Sequence, residues 1–150
     1  MPDRDLLVPE RNSKVSVVDT STDRLIGTGI KAFTSDTGAT GTIRFLDSPD
    51  EVLDFIDGPD VETTVVISRG GTTTFMSPAL MAGVAGLITL QGAPESHLGI
   101  LSREFGIPCV MSTQFAEGIQ TGRGETIPAD GTRVRLEISG DEGHVYLIEE

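Results

Sequence analysis

"GAPESHLGILSREFGIPCV", residues 92–110, contains the signals for a helix and for the strand that follows it. Ser96 is a preferred N-cap residue, because its hydroxyl can accept a hydrogen bond from an unpaired backbone N–H of the first helical turn. Gly106 is a typical residue just past the end of a helix. The sequence therefore predicts a helix from about Ser96 to Phe105 and a strand that begins near Pro108.

The flanking sequence predicts short strands that alternate with helices, and antiparallel strands near the C-terminus. Two Ser-Pro pairs favour helix starts, one at Ser48, where Glu51 completes a capping box, and one at Ser77, whose helix Gly86 is expected to end. Tight turns are predicted within the Gly-rich residues 27–41. Apolar and β-branched patterns predict strands at residues 14–19, 42–46, 62–68, 87–91, 108–111, 132–138 and 144–148. The predicted fold class is α/β.

Length and charge define the broad class of the protein. At 150 residues the chain is expected to form one domain, at residues 14–150, behind a flexible tail at residues 1–13. The net charge of -12 repels nucleic acid and anionic membrane surfaces, so we expect neither as a partner. A single cysteine allows no internal disulfide, and no apolar stretch is suited to a signal peptide or a membrane span. A cytoplasmic location is therefore predicted.

Common catalytic motifs are missing from the sequence. It contains neither the GxxxxGK[ST] phosphate loop nor the GxSxG nucleophile motif, and Gly27-Thr28-Gly29 lacks the third glycine of a dinucleotide fingerprint. His97, His144 and Cys109 are too widely spaced to predict a zinc site. Cys109 is interpreted as a buried apolar residue, and His144 as a surface residue that shares a strand face with Tyr146.

His97 has a position that suits phosphate chemistry. In the first turn of the predicted helix, unpaired N–H groups and the helix dipole favour an anion. Imidazole is largely neutral at cytoplasmic pH, so one ring nitrogen keeps a lone pair that could attack phosphorus. Ser96 and His97 are a poor nucleophile and base pair, because adjacent helical side chains point about 100° apart. The position of His97 alone is also compatible with a capped, half-buried histidine that has no chemical role.

The stretch 92–110 resembles the active-site segment of the mobile, phosphohistidine domain of the phosphoenolpyruvate (PEP)-utilising enzymes. That segment has a glycine-containing turn, a Ser-His pair, an aliphatic run, Arg-Glu and then Gly-Ile-Pro-x-Val. The residues in register here are Gly92, Ser96, His97, Ile100, Leu101, Arg103, Glu104, Gly106, Ile107, Pro108 and Val110. The resemblance extends over residues 64–148 and implies a swivelling β/β/α phosphohistidine domain.

The resemblance also implies a function. His97 would accept a phosphoryl group and carry it between active sites, Ser96 would cap the helix and donate to a phosphate oxygen, and Arg103 would orient or neutralise the phosphate. The domain would then be a stand-alone phosphoryl carrier and a phosphotransferase component. It would bind no cofactor itself, because Mg²⁺ and ATP or PEP would be held by nucleotide-binding and PEP- or substrate-binding partner subunits.

Four residues depart from the family pattern around the histidine, and the mildest change is Ala93 in place of the second glycine. Glu95 occupies a position where the family usually has threonine, and its carboxylate would repel a phosphoryl group by about 1 kcal/mol in solvent. Leu98 and Gly99 replace small residues, and the glycine is expected to weaken a short helix. These departures support an alternative, a non-catalytic binding or regulatory module that keeps the swivelling fold without phosphotransfer.

Overall fold

The structure, a computed structural model, describes residues 23–69 and 76–148. Its nine strands are β1 Arg24–Lys31, β2 Ala39–Phe45, β3 Thr64–Ser68, β4 Gly86–Thr89, β5 Cys109–Phe115, β6 Ile119–Gln120, β7 Thr126–Ile127, β8 Arg133–Glu137 and β9 Gly143–Leu147. Its helices are α1 Pro49–Ile56, a 3₁₀ turn Val61–Thr63, α2 Ser77–Met81 and α3 His97–Phe105. The predicted tail at 1–13 and strand at 14–19 lie outside the described residues.

Seven of the strands form a closed barrel in the order β1-β5-β4-β3-β2-β8-β9, and β9 pairs back with β1. The neighbours β2, β3, β4 and β5 are mutually parallel, whereas β1, β8 and β9 pair antiparallel. A helix lies in each connection between the parallel strands. The predicted α/β class is confirmed, and closure of the sheet leaves the barrel strands without a free edge.

The core is divided between the inside of the barrel and the layer beneath the helices. Strand β3 is buried along its whole length, as its β-branched sequence predicted. Its Val65 and Ile67 side chains pack with the interior residues of other strands. Val66 points the opposite way and belongs to a second cluster of buried side chains, which also includes apolar residues of all three helices. The helices are therefore held on the outside of the barrel by burial of one face each.

Helix α1 starts as the sequence predicted, with one difference in its cap. Ser48 Oγ accepts a hydrogen bond from the Glu51 N–H at 3.2 Å. The Glu51 carboxylate accepts from the N–H of Asp47, one residue before the position expected for a capping box. Both bonds satisfy backbone donors at the start of the helix, so the Ser-Pro signal at residue 48 was a sufficient guide to this helix.

Helix α2 starts at the Ser-Pro pair that the sequence predicted, but its predicted end at Gly86 was wrong. The helix begins at Ser77, with Met76 in the N-cap position and no side-chain cap bond. It ends after Met81, and Gly83 has a φ of +90, a conformation in which glycine is free of strain. Gly86 is the first residue of β4, where a Cβ would lie 2.7 Å from Leu136 Cδ1, so its role is close packing and not helix termination.

The assignment of residues 27–41 to tight turns was also wrong. Most of the first half forms β1, which closes the barrel between β5 and β9. A Cβ on Gly27 would lie 2.7 Å from the Phe115 ring, and one on Gly29 would lie 2.9 Å from Thr113 Oγ1. These two glycines permit close approach of neighbouring strands, which is a packing requirement and not a turn signal.

Candidate functional site

Helix α3 places His97 at its first position, as the sequence predicted. Ser96 is extended, with φ -70 and ψ 167, and its Oγ accepts from the Gly99 N–H at 3.4 Å. At the other end Gly106 has a left-handed φ of +70, and the Ile107 N–H donates to the Ser102 carbonyl at 2.9 Å. This pairing is typical of a glycine-terminated helix. Local capping at both ends therefore defines α3.

The outward face of α3 carries His97. The opposite face is buried through Leu98, Gly99 and Ser102. At 100° per residue, the exposed side chains of His97, Ile100 and Glu104 lie within about 60° of one another around the helix axis. The imidazole therefore faces solvent, where a reacting group held by another protein surface can reach it.

Arg103 lies on another side of the same helix. Its direction differs from that of His97 by about 120°, and its side chain is exposed in the last turn. A positive charge there interacts favourably with the C-terminal end of the helix dipole. The structure does not bring the two side chains onto one face, and the role of Arg103 toward phosphate stays a prediction.

The loop before His97 is fixed by contacts with its own helix. The Ser96 N–H donates to the Ala93 carbonyl at 2.9 Å, which closes a turn over residues 93–96. Gly99 lies directly against the backbone of Pro94, and a Cβ at this position would be 2.8 Å from the Pro94 carbonyl carbon. The first turn of α3 and the loop therefore pack as one unit.

Strand β5 also holds the loop before His97. Ser112, in β5, donates its hydroxyl to the Gly92 carbonyl at 2.6 Å. Gly92 has a φ of +112 and is the point at which the chain leaves the β4 end toward His97. This hydrogen bond joins two segments that are twenty residues apart, and sequence reasoning did not find it because a serine in a strand carries no local signal for such a contact.

Arg69 is a further residue that sequence reasoning missed. It follows β3 and forms an ion pair with Glu125 at 2.8 Å and another with Asp47. Its backbone carbonyl accepts from the N–H of Gln91, close to the start of the loop that carries His97. The only sequence signal was an arginine directly after a buried strand, which is also compatible with ordinary solvent exposure.

The Arg69 ion pairs attach a small hairpin to the barrel. Strands β6 and β7 form the hairpin, and Glu125 immediately precedes β7. The Arg69 guanidinium holds the pKa of the Glu125 carboxyl below its usual range, with a further contribution from the hydroxyl of Thr121. A cavity of about 290 Å³ is lined by Gln91 at the β4 end and by Glu125 and Thr126 of this region. The hairpin thus lies beside the base of the His97 loop.

Cys109 is buried, as the sequence predicted, whereas His144 is less exposed than the predicted surface residue. Cys109 is completely buried, and desolvation raises the pKa of its thiol to about 12, so it is not a nucleophile near neutral pH. His144 is half-buried, with its ring 6.2 Å from that of Tyr146 on the same face of β9. Across residues 23–69 and 76–148, no three His, Cys, Asp or Glu side chains are grouped closely enough to hold a metal ion.

Comparison with known families identifies the domain. Residues 61–134, which include β3, α2, β4, α3 and β5, match the family described as PEP-utilising enzyme, mobile domain. The chain carries a mobile domain of the PEP-utilising enzymes. The barrel with helices on its outside is consistent with this family, and the predicted swivelling-type fold is thereby confirmed.

Several PEP-utilising enzymes are similar to the mobile domain over part of their length. A probable phosphoenolpyruvate synthase of Methanothermobacter thermautotrophicus is 36% identical over 95 residues, which are 63% of this chain and 13% of that protein. The phosphoenolpyruvate synthase of Pyrococcus furiosus is 44% identical over 63 residues, 41% of this chain and 7% of the enzyme. A rifampicin phosphotransferase of a Streptomyces species is 30% identical over 97 residues, 65% of this chain and 10% of that enzyme.

The mobile domain is therefore homologous to phosphotransferases of the PEP-utilising type. The matched regions are only 7% to 13% of these three relatives, so they correspond to one part of much longer enzymes. The part of the chain that the structure describes has no helix long and apolar enough to cross a membrane.

Proposed function

We propose that this domain carries a phosphoryl group on His97 between active sites of partner domains or subunits. The observation that supports the proposal is the solvent-facing position of His97 in the first turn of α3, within the segment that matches the mobile-domain family. An acceptor histidine must enter a partner's active site, which a buried side chain could not do. The outward face of α3 meets that requirement.

The chemistry needs little more than a neutral imidazole and correct placement. One ring nitrogen attacks phosphorus in line as the bond from phosphorus to the donor's leaving oxygen breaks, and the other ring nitrogen keeps its proton. The resulting P–N bond then breaks as the acceptor oxygen attacks the same phosphorus from a second active site. Positioning supplies most of the catalysis in such transfers, so a small domain can act as the carrier.

Ser96 and Arg103 have separate roles in this proposal. The Ser96 oxygen accepts from the Gly99 N–H, which leaves the hydroxyl hydrogen free to donate to a phosphate oxygen. The first-turn N–H groups of α3 add further donors of the kind that anions bind. Arg103 contributes positive charge from another side of the helix, at a distance that makes its effect the smaller one.

Partner proteins are proposed to provide the donor and acceptor sites. A nucleotide-binding partner would hold ATP with Mg²⁺, and a second partner would hold PEP or another substrate. With a net charge of -12, the chain would be attracted to basic rims around those sites, and association would weaken as salt is added.

The alternative is a binding or regulatory module that keeps the fold without phosphotransfer. Glu95 favours it, because this exposed carboxylate lies two residues before His97 and would repel an incoming phosphoryl group. The two functions differ in one measurable property, which is the formation of phosphohistidine.

The deciding experiment uses labelled donors and intact-mass measurement. The chain is incubated with a nucleotide-binding partner and ³²P-labelled ATP, and separately with a PEP-binding partner and ³²P-labelled PEP. We expect the wild type and His144→Ala to gain about 80 Da in an acid-labile form, and His97→Ala to gain nothing. If the wild type gains no label from partners that phosphorylate another carrier domain, the proposal fails and the non-catalytic module is favoured.

A further inference from the structure

Ser112 has an unusual backbone conformation for its residue type. Its φ is +49, and among residues 23–69 and 76–148 it is the only residue other than glycine with a positive φ. Side chains with a Cβ rarely adopt this left-handed conformation, because the Cβ approaches the following carbonyl. Strain of this kind persists only where surrounding contacts enforce it, and it is frequent near functional sites.

The strained serine lies in a bulge of the barrel. Ile30 of β1 pairs with Met111, but Thr28 pairs with Gln114, so two residues of β5 face one residue of β1. A β-bulge redirects a side chain that would otherwise follow the alternation of the strand. Here the redirected hydroxyl reaches the carbonyl of Gly92.

The bond from Ser112 to Gly92 acts at the start of the segment that ends at His97. The 2.6 Å distance between Ser112 Oγ and the Gly92 oxygen is that of a well-formed O–H···O hydrogen bond. From Gly92 the chain enters the turn at residues 93–96, which is closed by its own hydrogen bond and packed against Gly99. The orientation of the whole unit relative to the barrel therefore depends on where Gly92 is held.

We propose that Ser112 is a positioning residue for His97, and that it holds the loop and the first turn of α3 in one orientation on the barrel. Its hydroxyl fixes the Gly92 carbonyl, and the left-handed backbone is the geometry that brings the hydroxyl there. The consequence for phosphoryl transfer rests on the proposed function of His97. The attachment of the loop to the barrel through Ser112 is a property of the fold and can be measured without that function.

The test separates the hydroxyl from the backbone strain. Ser112→Gly removes the hydroxyl and relieves the strain, since glycine adopts a φ of +49 freely. Ser112→Ala removes the hydroxyl and keeps the strain. Thr132→Val is the matched control, because it removes another partly buried side-chain-to-backbone bond, from Thr132 to Ala129.

Amide hydrogen exchange gives the first readout. We expect the N–H groups of Ser96 and Gly99 to exchange at least about tenfold faster in both Ser112 variants, because the turn loses its anchor. Exchange in β3 should stay at the wild-type rate, and the unfolding midpoint of Ser112→Gly should not fall below that of Ser112→Ala. If Ser96 and Gly99 exchange at wild-type rates in both variants, the Ser112 hydroxyl does not hold the loop in place, and the proposal is overturned.

The second readout is the rate of His97 phosphorylation by a partner and its labelled donor. We expect kcat to fall by about tenfold in both Ser112 variants at an unchanged KM for the carrier, and to stay unchanged in Thr132→Val. A loss of rate that follows thermal stability alike in all three variants would overturn a positioning role. If wild-type His97 is never phosphorylated, the proposed function fails, while the exchange result still decides whether Ser112 holds the loop before His97.

Discussion

Gly99 of α3 lies against the carbonyl group of Pro94, in the loop that leads into the same helix. The space between them is too small for a methyl group, since a Cβ at residue 99 would be 2.8 Å from the Pro94 carbonyl carbon. On helix propensity alone, Gly99 was expected to be a weak point of a short helix. In the structure the absence of a side chain lets the first turn pack onto its loop, next to His97.

Gly99→Ala should therefore destabilise the domain although alanine is the better helix former. Overpacking of a closely packed site typically costs about 1–3 kcal/mol, which exceeds the gain of roughly 1 kcal/mol from helix propensity. Urea unfolding measures the change. Gly122→Ala is the control, because a Cβ at residue 122 would meet no atom within 4 Å, and it should change stability by less than about 0.5 kcal/mol. A stabilised Gly99→Ala variant would show that the loop is free to move away.

Glu95→Gln should speed phosphorylation of His97. Removing the carboxylate charge abolishes a repulsion of about 1 kcal/mol on the incoming phosphoryl group, which corresponds to roughly a fivefold higher rate at low salt. The control is Glu104→Gln. Glu104 lies on the same exposed face of α3 as His97 but about 10 Å further along the helix, where screening leaves its carboxylate little effect on the phosphoryl group. Single-turnover labelling at low and high salt measures both variants. Equal rates for Glu95→Gln and the wild type would remove the electrostatic objection to a carrier function.

The features that the sequence predicted well are those with local causes. Ser96 and Gly106 cap α3 through hydrogen bonds within a few residues, so both ends of that helix could be predicted from its own sequence. The same holds for Ser48 at α1 and for the alternating C-terminal strands. The Ser96 cap also placed His97 in the first turn of the helix, and the resemblance of residues 92–110 to one family then implied its role as a phosphoryl carrier.

The features that the sequence did not predict depend on distant partners. Gly27 and Gly29 suggested turns, yet they allow β1 to approach β5, and nothing near them along the chain indicates that contact. Arg69 meets Glu125 across 56 residues, and Ser112 meets Gly92 across 20. Such pairs leave no signal in the pattern of neighbouring residues, so barrel closure and the contacts that hold the loop before His97 are visible only in the structure.

Glu125→Gln should lower the free energy of unfolding by roughly 1–2 kcal/mol near neutral pH. The variant keeps the shape of the side chain but removes the charge that pairs with Arg69, whose side chain is only 12% exposed. Glu117→Gln is a matched control, because its pair with Arg24 is 49% exposed on both sides and should contribute less than about 1 kcal/mol. Urea unfolding of the three proteins gives the comparison, and equal losses for both variants would contradict a special role for the Arg69 pair.

The same pair has a defined pH dependence. Because Arg69 lowers the pKa of Glu125 in the folded state, the pair adds stability above the ordinary glutamate pKa of about 4.3 and loses it as the pH falls through the lower folded-state value. The stability difference between wild type and Glu125→Gln should thus be constant from pH 7 to about pH 5 and shrink at more acidic pH. A difference that grows on acidification would have the wrong sign for this pair.

Cys109 should be inert to thiol reagents until the domain unfolds. Its side chain is completely buried, and burial raises the pKa of the thiol to about 12, so almost no thiolate forms at pH 8. Iodoacetamide labelling followed by intact mass should show no adduct in buffer and one adduct in urea. Cys109→Ala should lose roughly 1 kcal/mol of stability through a small cavity and keep its phosphorylation. Because the thiol is inaccessible, any phosphoryl label retained in His97→Ala would have to lie on another, exposed side chain. Reaction of iodoacetamide with Cys109 in buffer would show that the core opens far more often than its packing implies.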